Sequence, residues 1–159
     1  PRRLLKLADR DSIPTYFIEP GVEDEDWLTW LEETADEAAK LSRIFLQLFA
    51  RRRFAKTWKR TQPEVSEPPI SEGSDSLAIA AGLAGTWWRI SESFSTVELQ
   101  ERRNLRFASR LRGALANLSS IKEEPVLIVP IYQDWMEDIL ATLKTNVEVE
   151  AVEAVGLEE

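Results

Sequence analysis

Residues 24–60 read DEDWLTWLEETADEAAKLSRIFLQLFARRRFAKTWKR, a run without proline or glycine that is rich in alanine, leucine, glutamate, lysine and arginine. That composition predicts one long helix or two joined in line. Trp27, Leu31, Ala35, Ala38, Leu41, Phe45 and Leu48 recur at helical spacing and mark the face expected to meet a core. Glu23, Asp24, Glu25 and Asp26 stand at the head of the run, where carboxylates complement the positive end of a helix dipole. They read as a helix start rather than as metal ligands.

Working outward, residues 1–20 contain Pro14 and Pro20 between short apolar pieces and read as an irregular N-terminal arm. On the other side, QPEVSEPPISEGSD (62–75) holds three prolines and a glycine and reads as one long Pro/Ser-rich loop. Ser74 or Asp75 is placed to cap the next helix, SLAIAAGLAGTWWRISESF. There Ala78, Ala81, Gly82, Ala84 and Gly85 would let a neighbouring backbone come close, as in a buried central helix. Thr96, followed by Glu98 and Glu101, opens a further helix that continues to about Lys122. Pro125 and Pro130 interrupt the pattern, and a last helix near Ile131 to Lys144 carries Trp135, Ile139, Leu140 and Leu143. Residues 147–159 are acidic and weakly alternating, a short strand or a tail. The expected fold is all-α, a bundle of about four to five helices in one domain spanning 1–159.

The chain has 159 residues, 43% hydrophobic and 30% charged, enough for a modest core. It has no cysteine and no histidine, which removes disulfides, thiolate nucleophiles, the usual zinc ligands and the imidazole bases of catalytic triads. GLAGTWW (82–88) lacks the Lys-Ser or Lys-Thr of a phosphate-cradling loop. Sequence-adjacent carboxylates such as Asp36 with Glu37, or Glu137 with Asp138, point to different sides of a helix, and no Glu-x-x-His pair exists. No enzyme activity, catalytic residue, metal site or cofactor is therefore expected; a carboxylate-dependent metalloenzyme is the weakest of the readings considered. The N-terminus shows no signal-peptide pattern, and the longest apolar run, Leu77 to Trp88, falls short of the roughly 20 residues of a membrane span. The expected location is soluble and cytoplasmic, in line with a cysteine-free chain in a reducing compartment.

Charge is segregated. The formal net charge is -8, yet Arg51, Arg52, Arg53, Lys56, Lys59 and Arg60 fall within ten residues without a carboxylate between them. Arg102, Arg103, Arg106, Arg110 and Arg112 form a second acid-free cluster, and together the two hold eleven of the twenty basic residues. At helical phase, Arg102, Arg103, Arg106 and Arg110 share an arc of about 100°, apart from Phe107, Ala108, Leu111, Leu115 and Leu118. In the first cluster Phe54, Ala55 and Trp58 fall on one arc and Arg52, Arg53, Lys56, Lys59 and Arg60 on another. Two helices, if antiparallel, would line one cationic groove. Arg and Lys a helical turn apart can track a phosphate backbone without reading bases, and the planar fork of arginine suits phosphate. The same stripes also fit a solvated helix face paired with the chain's own acidic helices, or a surface docking on an acidic protein. Trp58, Trp87 and Trp88 could stack on bases, but their helical spacing is that of core residues.

With LFARRRFAKTWKR (48–60) on one helix and RRNLRFASRLR (102–112) on another, this small helical chain resembles the small subunit of a Cascade-type CRISPR effector complex. It is most similar to the type I-D-like small subunits that match the C-terminal helical domain of the large subunit. The resemblance implies a non-catalytic role, with copies of the chain stacked beside the backbone and large subunits. They would hold crRNA paired with target DNA and the displaced strand. The contacts would be Arg51, Arg52, Arg53, Lys56, Lys59, Arg60, Arg102, Arg103, Arg106 and Arg110. A reading from a different class is a helical adaptor or scaffold that binds proteins only, its basic stripes docking on acidic partners.

Overall fold

The computed structural model describes residues 2–61, 74–131 and 133–155. Among the described residues seven helices follow one another: α1 (Arg2–Arg10), α2 (Glu25–Ala39), α3 (Leu41–Leu48), α4 (Ala50–Thr61), α5 (Ser74–Glu92), α6 (Val97–Ile121) and α7 (Gln133–Leu143). Among the described residues the β contribution is one isolated antiparallel bridge, Thr15 with Val155. The class is all-α, and no described helix is long and apolar enough to cross a membrane.

The helices outnumber the four or five expected, for local reasons. Lys40 leaves the helical region (φ -57°, ψ 137°) and separates α2 from α3, and Phe49 (φ -99°, ψ 9°) ends α3 in a turn before α4. The arm expected to be irregular holds α1, where leucines alternate with cations at helical spacing; it stops before Ser12, which sits in the left-handed region (φ 52°), two residues ahead of Pro14. The loop expected at 62–75 falls outside the described residues except for Ser74 and Asp75, which begin α5.

Asp24 starts α2 as its N-cap, accepting from the Trp27 backbone N–H at 2.8 Å. That orientation carries Trp27 into the core, 5.7 Å from the Phe107 ring and stacked on Trp30 at 4.4 Å. Leu111 and Ile139 complete the buried cluster, with Ile18, Val129, Ile131, Trp135 and Leu143 packed around it. Thr96 caps α6 by accepting from Leu99 N–H. α6 packs on α7, α7 on α5, and α5 on α4. Gly82, Gly85, Thr86 and Ile90 are buried along one side of α5, as a central helix requires.

Two expected core faces are revised. In the 24–60 run only Trp27 is buried among the large apolar residues; Leu31 is exposed because α2 turns its Trp27, Trp30, Thr34 and Glu37 side inward, and Leu41, Phe45 and Leu48 are exposed because the break at Lys40 resets the helical phase. On α6, Phe107, Ala108 and Leu111 are buried as expected, but Leu115 is exposed while Arg103, Asn104, Gly113 and Ala114 lie inside. The C-terminal stretch is neither a paired strand nor a free tail through residue 155. Val147 and Val152 are buried, Val155 N–H donates to Thr15 C=O at 2.8 Å, and the chain passes so close to α6 that a Cβ on Gly113 would sit 1.6 Å from the Glu150 carbonyl oxygen.

Candidate nucleic-acid interface

The arginines of α6 meet carboxylates and carbonyls of their own chain. Arg103 is buried: its Nη1 donates to Glu92 Oε1 at 2.6 Å, its Nη2 to Asn104 Oδ1 at 3.1 Å, and its guanidinium stacks 4.3 Å from the Trp135 ring centroid. Trp135 Nε1 donates to the same Glu92 oxygen at 3.1 Å. Arg102 pairs with Glu33. Arg106 pairs with Asp24 and, at 2.8 Å, with Glu150, while Arg110 pairs with Glu150 and donates to Phe17 C=O at 3.1 Å. Arg112 donates to the carbonyls of Leu143 and Thr145, both at 2.7 Å, so it caps the C-terminus of α7. The expected arginine arc is thus a row of internal clamps, and it does not line a groove with α4. A cleft of about 700 Å³ between α2, α6 and residues 146–150 lies over Trp27 and Trp30, but both of its guanidiniums, Arg102 and Arg106, are ion-paired.

α4 is different. Arg51, Arg52, Lys56 and Lys59 are exposed and make no hydrogen bond or ion pair with another described residue. Arg53 is turned inward, donating from Nη2 to Ser93 Oγ at 2.9 Å, with Phe94 beside it. Arg60 lies in the last turn of α4, its side chain outside the described set. Phe54 packs against Trp87 at 5.2 Å and Trp58 is half-buried, which anchors this side of α4 on α5.

α3 shares that anchoring. Arg43 donates to Ser93 C=O at 2.9 Å and to Glu37 Oε1 at 3.0 Å, and Lys40 bonds the other Glu37 oxygen. The Lys40 ammonium and then the Arg43 guanidinium hold the Glu37 carboxyl below the usual carboxylate range. α3 buries none of its residues. Its charged side faces the protein and its apolar side faces out, with Leu41 76%, Phe45 62%, Leu48 71% and Phe49 53% exposed.

No protein family, curated protein or solved structure matches this chain. The site rests on its own geometry. Leu41, Phe45, Leu48 and Phe49 on one side of the turn at Phe49, and Arg52, Lys56 and Lys59 on the other, are all exposed. Sequence reading assigned Phe45 to a core face and passed over Phe49. The available signal was the phase of the uninterrupted helix expected there: on it the cations Arg52, Lys56 and Lys59 share the arc of Leu41 and Phe45, so a core-facing stripe would have buried them. Among the described residues no group of carboxylates is arranged to hold a metal ion.

Proposed function

We propose that the protein is a non-catalytic helical subunit that holds nucleic-acid backbone without reading base sequence, in the manner the resemblance to Cascade-type small subunits implies. The observation that supports this is the unpaired cation set of α4, Arg51, Arg52, Lys56 and Lys59, exposed on a chain whose other basic cluster is neutralised internally. Free Arg and Lys a turn apart match phosphates, and the sequence carries nothing that resembles a major-groove recognition helix. In this reading the partners are guide RNA, target DNA and the backbone and large subunits of an effector complex in the cytoplasm. Fluorescence anisotropy of the full chain with random-sequence DNA at two salt concentrations tests it. The expected result is binding that weakens with salt by about 0.7 log units per phosphate contact per decade for a single strand. Absence of binding at low salt would overturn direct contact by the isolated chain.

A second reading, a protein-binding adaptor, is favoured by the outward apolar face of α3, since bulky contiguous apolar surface marks docking sites. Unchanged sedimentation with nucleic acid, together with complex formation with an acidic subunit, would select it.

A further inference from the structure

The exposed surface of α3 and α4 changes character from one helix to the next. Leu41, Phe45, Leu48 and Phe49 make its first half apolar, and Arg52, Lys56 and Lys59 make its second half cationic. Phe45 and Phe49 lie four residues apart at the C-terminal end of α3, half or more exposed, and make no ring contact with a described residue.

We infer that this face takes a single strand rather than a duplex, with bases stacked on Phe45 and Phe49 and the following phosphates on Arg52, Lys56 and Lys59. The inference rests on the nucleic-acid reading above and names the strand and the side chains that select it. A duplex keeps its bases stacked inside and offers phosphates to both halves of the surface, so the apolar half would face hydrated anions. An unpaired strand offers both things the surface needs. Its splayed bases each have a π face for a phenyl ring, and its backbone supplies the charge. Stacking of this kind is tolerant of sequence, consistent with a chain that carries nothing resembling a major-groove recognition helix. Leu41 and Leu48 flank the rings and cover the apolar edges of bases and sugars.

The test uses the full chain with fluorescein-labelled oligothymidylate and a random-sequence duplex of equal length. Wild type is expected to favour the strand. Phe45→Ala/Phe49→Ala should lose about tenfold or more in strand affinity, with the salt slope unchanged and duplex binding unaffected. Phe45→Leu/Phe49→Leu keeps the apolar area and removes the π faces, so it should fail as the alanine variant does. Arg52→Ala/Lys56→Ala should instead lower the salt slope for the strand by about 1.4. Equal wild-type affinity for strand and duplex, or a leucine variant that binds the strand as wild type does, would overturn the inference while leaving backbone binding intact. The leucine result would assign the apolar half to a protein partner. Salt-dependent binding to neither probe would overturn the underlying nucleic-acid reading.

Discussion

Replacing Arg103 with alanine strands the Glu92 carboxylate beside Trp135 inside the bundle, and removing one member of a buried pair costs about 3 kcal/mol. Arg103→Lys keeps a charge but loses the fork to Glu92 and Asn104 and the stacking on Trp135, so it recovers little. Arg52→Ala, on the exposed face, should stay within about 0.5 kcal/mol of wild type. Urea midpoints at unchanged slope measure both. Equal stability of the two alanine variants would contradict the internal clamp. The two arginines are alike in the sequence, each in an acid-free cluster at the right phase. Helical arithmetic gives the direction of a side chain around its own helix; on α6 it placed Phe107, Ala108 and Leu111 inward as found, but it also placed Leu115 there and Arg103 on the outer arc, and the structure reverses both. It cannot supply the partner: Glu33, Glu92 and Glu150 come to α6 from other parts of the chain. For Arg51, Arg52, Lys56 and Lys59 on α4, no described residue brings a carboxylate, a difference the sequence does not show.

At the scale of the element, the junction of α2 and α3 is held by Glu37 between Lys40 and Arg43. A carboxyl whose folded pKa is depressed gives its stabilisation in full above the unfolded value, near 4.3, and loses it as pH falls through the lower folded value. Acidification below about pH 4 should therefore loosen this junction, and Glu37→Gln should lose the contribution at neutral pH and flatten the acid limb of the stability profile. Urea unfolding across a pH series checks it; identical acid limbs would refute the role. The starts of α2 and α6 were readable from their caps, since Asp24 and Thr96 sit where a Ser/Thr/Asp cap precedes an apolar-periodic run, whereas α1 was not. The break at Lys40 was not, because neither proline nor glycine marks it. It is fixed by ion pairs to Glu37 and by the pull of Ser93 on Arg43, which are tertiary facts. Missing that break reversed the face of α3, turning an expected core stripe into an exposed one.

At the scale of the molecule, α6 is the axis on which both ends of the described chain converge. Tyr16 Oη donates to Asn117 at 2.9 Å, and residues 147–152 run across Gly113. Gly113→Ala would drive a methyl into the Glu150 carbonyl and against Val152, so the segment must lift. Overpacking of this kind costs about 1–3 kcal/mol. Hydrogen exchange should show faster exchange at Glu150 and Val155 amides than in wild type; unchanged protection would mean the segment is not seated there. Arg106 joins the same assembly, tying Asp24, 82 residues upstream, to Glu150. Closing a loop of that length precedes any return from the contact, which slows folding. During synthesis α6 leaves the ribosome with Arg106 and Arg110 before their shared carboxylate exists. Until residue 150 follows, Arg106 has only Asp24 and Arg110 has no carboxylate, which leaves the Arg110 guanidinium an uncompensated cation beside a polyanionic ribosomal RNA surface.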